Sequence, residues 1–288
     1  MIPEYEYYGT YHENASCKIN LEEQIHEFLW NIELMFDYIE TNKPEILESF
    51  REKVENKFTE ELEGTSFFPR DVGLNVILED QSILDSYTTI KELGLKLIMK
   101  YIPLEKGDNL SGKLLEVRQI DHLRAKHMLL YHRINSLVEL LGREDGIQFF
   151  KDFVEYWGKK VAEKGRWKVT LKQARESLVP YWEGSDAFEF GVGDIDENMF
   201  LTKFDRCVWF ESMKDVEEQE LAYYTVCYPG PRVGKHAHEE ILMRRSVTLF
   251  TGDFCDELRW NRHIHDNPEQ PSHEFSSKIV PKEKSSPG

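Results

Sequence analysis

Cys207, Cys227 and Cys255 lie close together in the last third of this 288-residue chain, and no other group in it carries so much potential chemistry. A thiol is a nucleophile once ionised, a soft metal ligand, or a small apolar packing group. The first role needs a base or cation beside the sulfur, and Arg206, His236 and His238 are the nearest candidates in sequence. The second favours close Cys-x-x-Cys pairs, whereas these cysteines stand twenty and twenty-eight residues apart. No metal-ligand set is therefore assigned, and the cofactor is left unknown, with a divalent metal as a candidate. Cys17 stands alone near the N-terminus and reads as a packing residue.

Arg245 is the sharpest single residue. If residues 241–249 form a strand, Ile241, Met243, Arg245, Val247 and Leu249 share one face, which puts a guanidinium on an otherwise apolar, inward-facing surface. Such a charge needs a carboxylate, either from the protein, with Asp205 or Asp253 as candidates, or from a ligand. Asp253 follows Gly252 at a turn, two residues from Cys255, and is read either as turn chemistry or as a general base. Glu257 and Arg259 share the strand face of Cys255 and are candidates to support it. Two His-x-His pairs, His236/His238 in an expected loop and His263/His265 at the start of the tail, read as solvated. His122, His127 and His132 recur every five residues and so do not share a helix face. Walker, Gly-x-Gly-x-x-Gly, His-Glu-x-x-His and Gly-x-Ser-x-Gly motifs are absent.

The elements that must position these groups follow from periodicity. Leu21, Ile25, Phe28, Leu29, Ile32, Met35, Phe36 and Ile39 mark an amphipathic helix that Pro44 ends, and a second helix follows to about Leu62. A loop carrying Phe67 and Phe68 comes next, then a helix from Ile83 to Pro103 and a turn at 107–109. The longest helical period runs from Lys113 to Leu141 and is closed by Gly142, with further helix towards Gly165. After Pro180 the period changes. Residues 187–192 and 200–204 alternate as strands, Glu217 to Val226 reads as a short helix ended by Pro229-Gly230-Pro231, and residues 241–251 and 254–262 read as a hairpin about Gly252-Asp253. The expectation is an α+β fold in which a large helical part, residues 1–180, packs against an antiparallel sheet of about four strands in residues 181–266, with a flexible tail at 267–288.

The phrases Phe204-Asp205-Arg206-Cys207, Tyr224-Thr225-Val226-Cys227 and Thr248-Leu249-Phe250-Thr251-Gly252-Asp253-Phe254-Cys255-Asp256, in that order, resemble the L-2-amino-thiazoline-4-carboxylic acid hydrolase family. More distantly they resemble vinyl-4-reductase-type small-molecule-binding domains. The closer resemblance covers roughly residues 130 to 262, with Leu141-Gly142-Arg143-Glu144 and Gly165-Arg166-Trp167-Lys168 in its helical part. Family members usually run Cys-Asp-Phe-Arg where this chain has Cys255-Asp256-Glu257-Leu258-Arg259, a departure of one residue. The resemblance implies a hydrolase that opens a small cyclic amidine or thiazoline carboxylic acid by water addition. Cys227, Cys255 and Asp253 would be catalytic, while Arg245, Thr248, Cys207 and Arg206 would bind substrate. The other reading it implies is a non-catalytic binding or sensory module.

Composition sets the outer bounds. With 53 Asp and Glu against 36 Lys and Arg, the net charge is −17, which argues against nucleic acid as a partner. No apolar run approaches a membrane span and no export signal is visible, so the expectation is a cytoplasmic protein with reduced thiols, a small-molecule carboxylate as its partner and self-association left open.

Overall fold

A computed structural model of the chain describes residues 5–65, 79, 82–102, 104 and 114–277. The expected aromatic loop at 66–70 and the turn at 107–109 lie outside the described residues. The chain divides into two compact units, Ser16–Trp157 and a second formed by Met1–Ala15 with Gly158–Gly288.

The second of these carries a five-stranded sheet built from β1 (Tyr5–Tyr8), β4 (Phe188–Asp196), β5 (Met199–Cys207), β6 (Ile241–Arg244) and β7 (Cys255–Asn261), while β2 (Ser16–Asn20) and β3 (Leu114–Arg118) pair in the other unit. The α-helices among the described residues, in chain order, are α1 (Leu21–Asn42), α2 (Leu47–Glu61), α3 (Thr88–Tyr101), α4 (Gln119–Leu141), α5 (Arg143–Glu163), α6 (Leu171–Gly184), α7 (Val208–Glu211), α8 (Gln219–Val226), α9 (Pro229–Ala237) and α10 (His273–Ser277).

In the helical unit, α1 starts where Asn20 caps it: its side chain accepts the Glu23 N–H, and its amide donates to the Glu23 carboxylate at 2.8 Å. All eight apolar residues read from its sequence period are buried. The largest fully buried side chain among the described residues is Arg133 of α4, whose guanidinium donates to the Asn31 carbonyl at 2.7 Å, to Asn31 Oδ1 at 2.8 Å and to the Leu129 carbonyl at 2.9 Å. These bonds tie α4 to α1 with every contact satisfied by a neutral oxygen. Burial lowers the Arg133 pKa to about 9. The periodic segment expected to be helical from Lys113 begins instead with β3, because Leu114, Val117 and Ile120 fit a helical spacing while the chain pairs residues 114–118 with residues 16–20.

The sheet is antiparallel throughout, in the order β1-β4-β5-β7-β6. Among the described residues its strands number five, because residues 5–8 return to pair with β4, a long-range pairing that local periodicity does not show. Gly9 follows at φ +80°, and a Cβ there would stand 2.3 Å from the Phe188 carbonyl oxygen, so only glycine lets the chain turn this close to β4. The expected hairpin about Gly252-Asp253 is corrected in its detail. β6 ends at Arg244, residues 245–254 form a long connection, and β7 lies between β6 and β5.

Pro180 lies inside α6 instead of ending it. Pro229-Gly230-Pro231 opens α9, where a proline at the first position loses no hydrogen bond and its fixed φ already suits a helix. His236 therefore lies in α9 and His238 caps its end, rather than both lying in a loop. Among the described residues no helix is long and apolar enough to cross a membrane.

Candidate functional site

Alternation along β7 sends Cys255, Glu257 and Arg259 to one face and Leu258 and Trp260 to the other, where Leu201, Leu258 and Trp260 form a small core. The β5–β7 ladder is regular, with Cys255 opposite Phe204 and Arg259 opposite Phe200, so the extra residue after Asp256 leaves Arg259 in phase with Cys255. The connection before β7 is clamped by Asp256. This fully buried carboxylate accepts the N–H groups of Ser246 (2.7 Å) and Val247 (2.9 Å), the Ser246 hydroxyl and the Gln270 amide (2.9 Å). Thr251 and Gly252 then bond back to the Thr248 carbonyl at 2.8 and 2.9 Å. A Cβ on Gly252 would come within 2.6 Å of the Val247 side chain, which would have to shift to admit it.

That connection delivers Arg245 against β7. Its Nε donates to Glu257 Oε2 at 2.8 Å, its Nη2 pairs with the same oxygen, and its Nη1 donates to the Cys227 carbonyl at 2.6 Å. Glu257 also pairs through Oε1 with Arg259, so two guanidinium groups share one carboxylate. The protein partner of Arg245 is thus Glu257, not Asp205 or Asp253. Asp205 pairs with Lys203 at 2.8 Å and accepts the Tyr7 hydroxyl at 2.7 Å. Arg259 also sits over the ring of Trp182, 5.1 Å from its centroid, and its Nη1 is buried without a hydrogen-bond partner.

Burial opposes the Arg245 charge, but the Glu257 carboxylate outweighs it and the pKa stays above the ordinary arginine value. Burial likewise opposes the Glu257 charge, and Arg259 and Arg245 overcome it, holding the carboxyl below the usual range. The triad keeps one net positive charge.

Around it lies a cavity of about 30 Å³ lined by Cys207, Cys227, Cys255, Arg245, Glu257 and Arg259, with Leu249 and the rings of Trp182, Phe188, Phe204, Trp209 and Phe210. The three cysteines, distant in sequence, therefore border one space. α6 brings Trp182, which meets Phe204 and Phe190 edge-on at 5.1 and 5.5 Å. Cys207 ends β5, Cys227 follows α8, and Cys255 opens β7. The Thr248 hydroxyl hydrogen-bonds the Cys227 sulfur.

The thiols are not activated, contrary to the expectation from neighbouring cations. Burial pushes Cys207 up to about 11, with the Phe210 and Trp209 amides and Arg245 opposing it. It pushes Cys227 up to about 12 and Cys255 well above the ordinary thiol value, with Arg245 opposing both. Desolvation wins because one guanidinium, already paired with Glu257, offers each sulfur only part of its field.

The remaining sequence candidates lie elsewhere. Asp253 is exposed and is not among the cavity residues. Arg206 is exposed too, stacking 4.0 Å from the Tyr11 ring centroid and approaching Glu211 at 3.8 Å. His238 packs edge-on against Trp167 at 4.8 Å, and His265 approaches Asp196 at 3.1 Å. Among the described residues no three His, Cys, Asp or Glu side chains gather to hold a metal.

Sequence reading missed a second, larger cavity of about 240 Å³, lined by Tyr223, Cys227, Tyr228, Pro231, Arg232, Lys235, Leu242, Met243, Arg245 and Trp260. The two cavities share Cys227 and Arg245. Its signal was available in the Tyr223/Tyr228 and Arg232/Lys235 spacings, but reading Pro229-Gly230-Pro231 as a terminator hid the helix that presents the cations.

An α+β unit whose antiparallel sheet and helices border a thiol-lined cavity and a cationic one is the class that this geometry defines. Within that class, residues 122–260 match the family described as L-2-amino-thiazoline-4-carboxylic acid hydrolase, a span a little under half the chain that contains every residue lining both cavities. The resemblance carried by the three cysteine phrases is thereby supported over that span. No curated protein and no solved structure matches the chain.

Proposed function

We propose that the protein is a hydrolase that opens a small cyclic amidine carboxylic acid, of which 2-amino-thiazoline-4-carboxylate is the type, at the junction of the two cavities. The observation that carries this reading is that Cys227 and Arg245 border both spaces, one the size of a water molecule and one the size of a small ring. A dry cavity of about 150 Å³ accepts benzene, so 240 Å³ has room for a five-membered ring with its amino and carboxylate substituents, while 30 Å³ matches one water.

The substrate would enter the larger cavity with its carboxylate on the open N–H groups of Arg245, drawn by the net positive charge of the triad. The amidine carbon would face the smaller cavity. A water molecule there would donate a hydrogen bond to Glu257, whose ionised carboxylate orients it without having to be a strong base. The water oxygen bonds to the amidine carbon, the ring C–S bond breaks, one water proton goes to the ring nitrogen and the other to the released sulfur. The product is a carbamoylated aminothiol acid. The protonated Cys227 would act as a hydrogen-bond donor beside the leaving sulfur, not as a nucleophile, because its thiolate is rare at neutral pH. The exposed Asp253 and Arg206 take no part in this scheme.

One observation favours a different reading. Three protonated thiols, Cys255 buried and Cys207 and Cys227 partly so, among five aromatic rings also suit a non-catalytic module that holds an apolar or chromophoric molecule. Incubating the purified protein with 2-amino-thiazoline-4-carboxylate, with and without Mn²⁺ or Zn²⁺, and following the mass gain of one water separates the two. Formation of N-carbamoyl-cysteine supports the hydrolase. No turnover under any condition, together with a co-purifying chromophore, supports the binding module.

A further inference from the structure

The larger cavity has a composition that one carboxylate does not explain. In a chain with 53 acidic and 36 basic residues, its lining contains Arg232, Lys235 and Arg245 and no acidic side chain. Arg232 and Lys235 stand three residues apart on α9, one turn of helix, and so share a face. Arg232 also lies over the ring of Tyr228, 5.4 Å from its centroid, a contact that holds the guanidinium near the cavity wall. Arg245 lies at the inner end, where it donates to Glu257 and to the Cys227 carbonyl. The cations of the cavity therefore fall into two groups, one at the junction with the thiols and one on α9.

Trp260, 5% exposed, forms part of the wall of this cavity. With Tyr223 and Tyr228 completing the wall, the cavity offers donors and rings, the chemistry of an anion attached to a small organic body.

We propose that the larger cavity binds a second anionic group, so that the substrate is a dicarboxylate-like dianion: one carboxylate lies at Arg245 beside the reacting carbon and the other lies against Arg232 and Lys235. This rests on the ring-opening site proposed above and extends it to the far end of the substrate.

The test is isothermal titration of the full-length protein with succinate, glutarate and adipate, each against the monoacid of the same carbon number: butyrate, valerate and hexanoate. At least one diacid is expected to bind at least tenfold more tightly than its monoacid. In the Arg232→Gln/Lys235→Gln double variant, at exposed positions where folding is retained, that preference falls to near unity while monoacid binding is unchanged. Equal binding of both series, no binding of either, or a diacid preference that survives the double variant overturns the proposal. A diacid preference that depends on α9 but accompanies no thiazoline ring opening overturns the hydrolase reading alone.

Discussion

At the scale of single residues the account turns on which charges hold each other. Removing Glu257 leaves Arg245 and Arg259 facing one another in a buried site, and unpairing buried charges typically costs about 3–5 kcal/mol. Removing Arg245 leaves Glu257 still paired with Arg259. Glu257→Gln is therefore expected to lower the melting temperature much more than Arg245→Met does, and equal losses in differential scanning calorimetry would contradict the shared triad. The pH dependence has a definite sign. Because the folded Glu257 carboxyl is held below its ordinary value of 4.5, its stabilisation is complete above pH 4.5 and is lost as pH falls through the lower folded value. The thiols behave oppositely. Their folded pKa values are raised, so their contribution is complete below pH 9.0 and disappears as pH rises towards about 11 for Cys207 and about 12 for Cys227. At pH 7.5 the thiolate populations are reduced about a hundredfold and a thousandfold relative to an ordinary thiol, from the same values. Iodoacetamide labelling read by peptide mass spectrometry should accordingly be slow at both sites, and fast labelling of either would show a thiolate that this geometry does not produce.

At the scale of elements, the connection between β6 and β7 is the part that places Arg245, and Asp256 is its clamp. Asp256→Ala removes the acceptor of two backbone amides and two side chains, each buried donor left unmatched costing about 1–3 kcal/mol. The expected result is fast hydrogen exchange at residues 246–252 with little change in β4 and β5. Unchanged protection of 246–252 would show that the connection is held by other contacts. This clamp was not legible in the sequence, where Asp256 read only as part of the Gly-Asp-x-Cys-Asp phrase. What was legible was the alternation that puts Cys255, Glu257 and Arg259 on one face, because a period of two survives any uncertainty about where the strand begins. α1 was equally readable, since its apolar stripe is local, although the Asn20 cap that starts it was not read. β2 and β3 were not: their pairing joins residues about a hundred positions apart, and the apolar spacing of β3 also satisfies a helix. α9 was misread because a proline pair ends a helix at one position and begins one at another.

At the scale of the whole molecule, the sheet that carries the site depends on the first residues of the chain. β1 covers the outer edge of β4, with Tyr8 stacked 5.5 Å from Phe190 and Tyr7 bonded to Asp205 of the next strand. Deleting residues 1–9 is expected to uncover that edge, lowering the melting temperature and promoting association, because an unpaired strand offers a row of free backbone groups. An unchanged melting temperature with a monodisperse elution profile would show that β1 is dispensable. The central claim is that a ligand carboxylate binds Arg245 where the two cavities meet, and it is tested most directly by measuring kcat/KM for 2-amino-thiazoline-4-carboxylate and the melting temperature together in Arg245→Met. Loss of a buried charge-assisted carboxylate contact is worth about 2–5 kcal/mol, so the account predicts a loss of activity of roughly thirtyfold or more with only a modest fall in melting temperature. Activity retained by a folded Arg245→Met protein would contradict it.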